Sequence, residues 1–183
     1  MSKNLIRSVK NGNADIAEKI VTENYESIYK YCYWKIGNGE EAQDITQEVF
    51  LRFMKNIDTY SDQGKPKAFL YTIAKNLCIN WSKKHKVDCL DTATEILDLS
   101  ASEMINQIPD KILLENLVKK LPIEQQEVIV LRYGHELKIN EIAVIVGTSR
   151  FTVRYRIKLA LSALKNKLSR SDFVEKEPRR QLT

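Results

Sequence analysis

The chain has 183 residues, 43% hydrophobic and 29% charged, with 29 Lys and Arg against 24 Asp and Glu, for a formal charge of +5. That length allows one ordinary domain or two small ones, and the composition supports a packed core, which excludes a wholly disordered chain. No apolar run is long enough to cross a bilayer and the stretch 1–15 lacks the apolar centre of a signal peptide, so a cytoplasmic protein without membrane insertion is expected.

Six Gly and four Pro favour helices over a turn-rich β fold. Cys32, Cys78 and Cys89 are odd in number and widely spaced, which predicts reduced thiols and neither a disulfide framework nor a C-x-x-C metal site. Apolar spacing is helical almost throughout, with no convincing strand. A short helix is predicted over 5–10, stopped by Asn11-Gly12-Asn13, with Asn13 as a cap for the next. That next helix buries Ile16, Ile20, Val21, Tyr25, Ile28, Cys32 and Ile36, and stops at Gly37-Asn38-Gly39. Another, from about Glu41, sets Ala42, Ile45, Val49, Phe53 and Ile57 on one face. Residues 58–65 read as a loop, and Pro66 suits the first turn of a helix that repeats Phe69, Leu70, Ile73, Leu77 and Trp81.

Composition then changes. Residues 88–110 hold Asp88, Asp91, Glu95, Asp98, Glu103 and Asp110 but no Lys or Arg, which reads as an acidic linker between two helical domains. Its Ile96, Leu97, Leu99, Met104 and Ile108 suit a short docking helix. The expected organisation is all-α: a first domain over 1–87, the linker over 88–110, a second domain over 111–171 and a charged, disordered tail over 172–183. Within the second domain Pro122 opens a new helix after Leu121, and 134–137 make a further break.

Residues 139–158 carry the most information. Ala143 is small where two helices cross, Gly147 follows four residues on where a turn needs positive φ, and Val153 returns to the core six residues later. Ile142, Val146 and Ile157 supply further apolar positions, while Arg150, Arg154, Arg156 and Lys158 make the second helix basic. No acid occurs between Glu141 and Asp172. A short basic helix held by a tight turn is a helix-turn-helix suited to a DNA major groove. Ser149, Arg150, Arg154, Tyr155 and Lys158 are expected to face the groove, and Arg132 and Arg156 to hold phosphates.

Three blocks occur in order: Asp44, Ile45, Gln47, Glu48, Val49 and Phe50; Ile73-Ala74-Lys75-Asn76; and Leu121-Pro122 to Leu131-Arg132-Tyr133 with the helix-turn-helix. On these blocks the chain from Asp15 to Leu168 resembles a bacterial RNA polymerase sigma factor of the sigma-70 type, in the small extracytoplasmic-function group that keeps domains 2 and 4. The resemblance implies that the surface of the first block binds the polymerase clamp, with Asp44, Gln47, Glu48 and Leu51 at helical spacing on one exposed face. The second is Ile73-Ala74-Lys75-Asn76 within 68–84, similar to the segment that reads the −10 element and opens the duplex. There Lys75, Lys83, Lys84 and Lys86 suit phosphates, Asn76 and Asn80 base edges, and Tyr71 and Trp81 base stacking. Asn80 stands where the family often has an acid, and Lys83 where it has Arg. The third block, Leu121-Pro122 to Leu131-Arg132-Tyr133 with the helix-turn-helix, implies −35 reading and docking on the polymerase flap tip. Gln126, Phe151, Tyr155 and Leu159 depart from the usual basic residue, Gly, Ser and Arg, and aromatics there suit thymine methyls or sugars.

The resemblance thus implies core RNA polymerase, promoter DNA and an anti-sigma factor as partners, no cofactor and no catalysis by the chain itself. The acidic linker, by the same analogy, passes through polymerase channels that hold nucleic acid. A stand-alone helix-turn-helix regulator and an interaction protein that binds neither DNA nor polymerase are the competing readings. Neither requires the Asp44-Gln47-Glu48 face or the segment from Ile73 to Lys84. His85 and Cys89, four apart and without a second pair, are no more than a weak metal signal, and no Gly-rich phosphate loop or nucleophile elbow is present.

Overall fold

The structure, a computed structural model, describes residues 14–56, 66–88 and 109–174. Every described element is helical, in line with the all-α expectation. The chain divides into two compact units, Met1–Met104 and Ile105–Thr183. The expected helix over 5–10, the Asn13 cap, the loop over 58–65, the docking helix of the linker and the tail from Glu175 onward lie outside the described residues.

The first unit packs three helices against one another: α1 (Ala14–Ile36), α2 (Gly39–Lys55) and α3 (Pro66–Asp88). Helix α1 stops where Gly37 takes a positive φ of 78° and donates its amide to the Tyr33 carbonyl at 2.8 Å. Asn38 then caps α2, its Oδ1 accepting from the Glu41 amide at 3.2 Å. The cap moves the helix start to Gly39, two residues ahead of the expected Glu41, because an Asn side chain satisfies a first-turn donor. Ile20, Ile28, Cys32 and Ile36 of α1 meet Ala42, Ile45, Val49 and Phe53 of α2 and Leu70 and Leu77 of α3 in the core. Tyr31, Tyr71, Ala74 and Cys78 join them, with the Tyr31 and Tyr71 rings edge to face at 5.3 Å.

Two buried polar side chains turn back onto their own helices, so no donor is orphaned: Thr46 donates to the Ala42 carbonyl at 2.6 Å and Asn24 to the Ile20 carbonyl at 2.8 Å. Cys32 and Cys78 are free, buried thiols in hydrogen-bond contact, and that contact together with burial pushes the Cys78 thiol far up.

The second unit contains α4 (Pro109–Lys119), α5 (Ile123–Ile129), a π-helical turn (Val130–Gly134), α6 (Ile139–Val146) and α7 (Arg150–Val174). Helix α7 is the spine, touched by α4, α5 and α6. The helix expected at Pro122 opens there: Pro122 is the cap of α5 at φ −54° and ψ 142°, its carbonyl accepting from the Gln126 amide at 3.0 Å. Gln126 donates to the Lys119 and Leu121 carbonyls at 2.9 and 2.7 Å, which satisfies acceptors at the end of α4. The π-turn is closed by His135 N–H to the Val130 carbonyl at 3.1 Å. The expected break over 134–137 is there, with the left-handed conformation on Glu136 (φ 55°) and not on Gly134.

Candidate nucleic-acid and polymerase interfaces

Helices α6 and α7 join through a turn that needs glycine. Gly147 sits at φ 69° and ψ 38°, its amide reaching the Val144 carbonyl at 3.3 Å and the Thr148 amide reaching Ala143 at 3.0 Å. Those two bonds form a Schellman motif, which closes the last carbonyls of α6. At its other end, Glu141 Oε2 accepts from the Lys138 amide at 2.7 Å. Ile142, Ala143 and Ile145 of α6 and Val153, Ile157, Ala160 and Leu164 of α7 are buried, fixing the two helices. Ser149 caps α7: its Oγ accepts from the Thr152 amide at 3.1 Å and lies 2.9 Å from the Thr152 hydroxyl.

With its buried stripe so fixed, α7 turns Arg150, Phe151, Arg154, Tyr155 and Lys158 to solvent. Arg150, Arg154 and Lys158 make one ridge at four-residue spacing; Phe151, Tyr155 and Leu159 make the next. Arg156 and Arg132 stand apart from both. Arg156 is half-buried in a 2.6 Å ion pair with Glu124 of α5. Arg132 donates to the Leu137 carbonyl at 2.9 Å and so clamps the turn that leads into α6. Sequence reasoning gave both guanidiniums to phosphates; in the structure each has an internal partner.

The segment expected to receive −10 bases is α3. Asn76, Ile79, Asn80 and Lys83 share an exposed face at helical spacing, with Lys84 exposed and Lys75 half-buried beside it. Ile79, 39% exposed between the two Asn residues, is absent from the sequence-based candidates. Its signal was there: it is the apolar residue that falls off the core stripe. Tyr71 is a correction. It is only 3% exposed, packed on Tyr31, with its hydroxyl 3.5 Å from the Ser27 carbonyl, so its ring has no face left for a base. Trp81 is half-buried, its indole N–H donated to Glu41 Oε2 at 2.8 Å and its ring stacked on His85 at 4.1 Å. Both aromatics lie on the packed side of α3, away from Asn76 and Asn80. The Lys86 side chain lies outside the described residues.

On α2, Asp44, Gln47 and Leu51 are exposed and Glu48 is half-exposed, opposite the core residues Ala42, Ile45, Val49 and Phe53. Glu48 Oε1 pairs with Arg52 Nε at 2.6 Å, one turn away. Leu51 is 56% exposed, an aliphatic side chain on an otherwise polar face. Among the described residues no cluster of three or more His, Cys, Asp or Glu is placed to hold a metal, and no helix is long and apolar enough to cross a membrane.

Three packed helices among the described residues of the first unit, followed by a unit with a cationic helix-turn-helix, put the chain in the helix-turn-helix class of DNA-binding proteins. Comparison with known proteins narrows that class. Residues 20–87 match Sigma-70 region 2 and residues 111–164 match Sigma-70, region 4. The chain is 36% identical over 182 residues to the ECF RNA polymerase sigma factor SigW of Bacillus subtilis, covering 92% of this chain and 97% of that one. Its fold is similar to that of CnrH, solved in complex with the cytosolic domain of CnrY, at a TM-score of 0.65 and 18% identity, with 90% and 95% of the two chains covered. The sigma factor RpoE, solved with the anti-sigma factor NepR from Bartonella quintana, aligns at a TM-score of 0.64 and 18% identity, covering 83% and 96%. The chain belongs to the sigma-70 family of RNA polymerase sigma factors, in the extracytoplasmic-function group. It is a transcription initiation factor.

Proposed function

We propose that the chain joins core RNA polymerase through the α2 face of Asp44, Gln47, Glu48 and Leu51, and brings it to promoters through α7. Arg150, Arg154, Tyr155 and Lys158 enter the major groove of the −35 element, with Ser149 at the helix start. Arg132 and Arg156 hold the reading unit together and reach DNA only secondarily. Exposed −10 bases are held along α3, where Asn76 and Asn80 offer amides to base edges and Lys75, Lys83, Lys84 and Lys86 neutralise phosphates. An anti-sigma factor is the partner that withholds these surfaces until a signal arrives. In domain terms, 1–87 and 111–171 do this work and the acidic stretch 88–110 connects them.

The observation that carries this reading is Leu51, 56% exposed beside Asp44 and Gln47, in a unit separate from the helix-turn-helix. A stand-alone regulator has no use for a second, polar-rimmed apolar contact of this kind, whereas an acidic and amide face around one aliphatic anchor suits a basic partner helix. Run-off transcription with purified core polymerase tests it, starting with the DNA upstream of the chain's own gene. A specific transcript that requires the chain, and that disappears with Asp44→Arg and with Arg154→Ala, is the expected result. Transcription indifferent to both variants refutes the assignment. Tight duplex binding with no transcript favours the stand-alone regulator.

A further inference from the structure

We infer that Phe151 and Tyr155 read the 5-methyl groups of thymine in the upstream promoter element, an inference that rests on the sigma-factor reading and gives its −35 contact a chemistry. Phe151 is 76% exposed and Tyr155 61%, one helical turn apart in the first two turns of α7. They project away from Val153, Ile157 and Ala160, so no repacking of the core covers them. Neither ring stacks on another aromatic side chain among the described residues. Two bare aromatic rings side by side on a helix mark a contact surface.

What covers them follows from charge. The adjoining ridge is Arg150, Arg154 and Lys158, all exposed, and no acid occurs between Glu141 and Asp172. The occupant is therefore a polyanion, and a helix held by a tight turn fits the major groove of duplex DNA. Across that groove the base edges present hydrogen-bond donors and acceptors and a single apolar group, the thymine methyl. Among the base edges a phenyl ring has no other apolar counterpart, and the sugars, the remaining apolar surface, carry no methyl that the test below removes. Positions four apart rise by about 6 Å along the helix, roughly two base steps at about 3.4 Å each. The upstream element is thus expected to hold two thymines within three consecutive base pairs, on either strand. Leu159 continues the same ridge, one turn farther from the groove-facing end.

The test replaces thymine by deoxyuridine, which removes the methyl and leaves every hydrogen-bonding atom in place. On a template that supports run-off transcription, thymines of the −35 element alone are replaced, one strand and one position at a time. Holoenzyme formed with the full chain then competes for these templates against the thymine parent. A loss of about fourfold per contacted methyl is expected, the factor for exposing one methylene-sized group. Phe151→Ser with Tyr155→Ser should bind the thymine template more weakly and no longer distinguish it from the uracil one, with unchanged helicity and melting temperature. Wild-type holoenzyme indifferent to every replacement, a double variant that still discriminates, or an active element without thymine overturns the inference while leaving transcription, and the sigma-factor reading, intact. Weakened binding of the double variant to core polymerase without DNA shows that the rings dock on protein and also overturns it. No transcript from any template removes both together.

Discussion

Gly147 offers a clean separation of backbone strain from packing. Its φ of 69° and ψ of 38° lie in the left-handed region, and a Cβ added there meets nothing within 4 Å. Gly147→Ala therefore loses stability only through the torsional cost of an L-residue in that region, ~1–2 kcal/mol. The smaller unfolded-state entropy of alanine offsets ~0.4–1 kcal/mol of it, leaving a net loss near ~1 kcal/mol. In a unit of this size that lowers the melting temperature by roughly 4–8 °C. Asn tolerates the left-handed region, so Gly147→Asn should recover most of the loss. Gly134→Ala is the control. It has no positive φ, its added Cβ meets only Val130 Cγ1 at 3.8 Å, and no loss is expected. Trp34 and Trp81 both lie in the first unit, so tryptophan fluorescence follows that unit and far-UV circular dichroism reports the second as the remainder. A Gly147→Ala chain as stable as wild type, or Ala and Asn variants melting together, would refute the torsional account.

Phe53 and Leu51 are near neighbours on α2 with opposite fates. Phe53 is fully buried, and Phe53→Ala should cost ~3–5 kcal/mol in urea unfolding followed by tryptophan fluorescence. Leu51→Ala, at an exposed site, should stay within ~0.5 kcal/mol and instead weaken binding to core polymerase in a pull-down with purified subunits. Burial raises the Tyr71 phenol above its ordinary value. The folded state therefore favours the neutral form: this contribution is complete below the unfolded value of about 10 and is lost as pH rises through the higher folded value. The first unit should thus lose melting temperature more steeply above about pH 10 in wild type than in Tyr71→Phe; parallel profiles for the two chains would sink this assignment.

The core of α2 was legible because Ala42, Ile45, Val49 and Phe53 recur at the helical period and nothing else competes for that face. The Gly147 turn was legible for a different reason: an isolated glycine between two helical patterns has few other uses. Tyr71 was misread because α3 packs against both α1 and α2, so its buried stripe is wider than one period and takes in Tyr71, Ala74 and Cys78 as well as Leu70 and Leu77. A single-sequence pattern finds the centre of such a stripe and not its width. The partners of Arg132 and Arg156 were out of reach altogether. One is the Leu137 carbonyl in the break that follows the π-turn, whose path no residue pattern announces, and the other is a carboxylate on a different helix. Charge counting gave four cations to 150–158, and folding takes one of them away.

That subtraction has a consequence for how the chain meets DNA. If Arg150, Arg154 and Lys158 are the cations free to meet phosphate or base, about three counterions are released on binding, and the logarithm of affinity falls with the logarithm of salt with a slope near ~2.7. Between about 50 and 200 mM salt that is a loss of roughly fortyfold. Were Arg132 and Arg156 also available, as sequence alone suggests, the slope would rise to ~4.5 and the loss to roughly five-hundredfold. The shallower slope belongs to a chain with little duplex affinity of its own, whose binding at a promoter is completed by polymerase contacts and by the α3 face. The steeper one belongs to a regulator that holds its operator unaided. Fluorescence anisotropy of the full chain on a labelled duplex across that salt range decides between them. Arg154→Ala should lower the slope by about one, whereas Arg156→Ala should leave it and reduce the melting temperature of the second unit through loss of the Glu124 pair. An Arg156→Ala chain with a reduced slope and an unchanged melting temperature would return that guanidinium to the DNA contact.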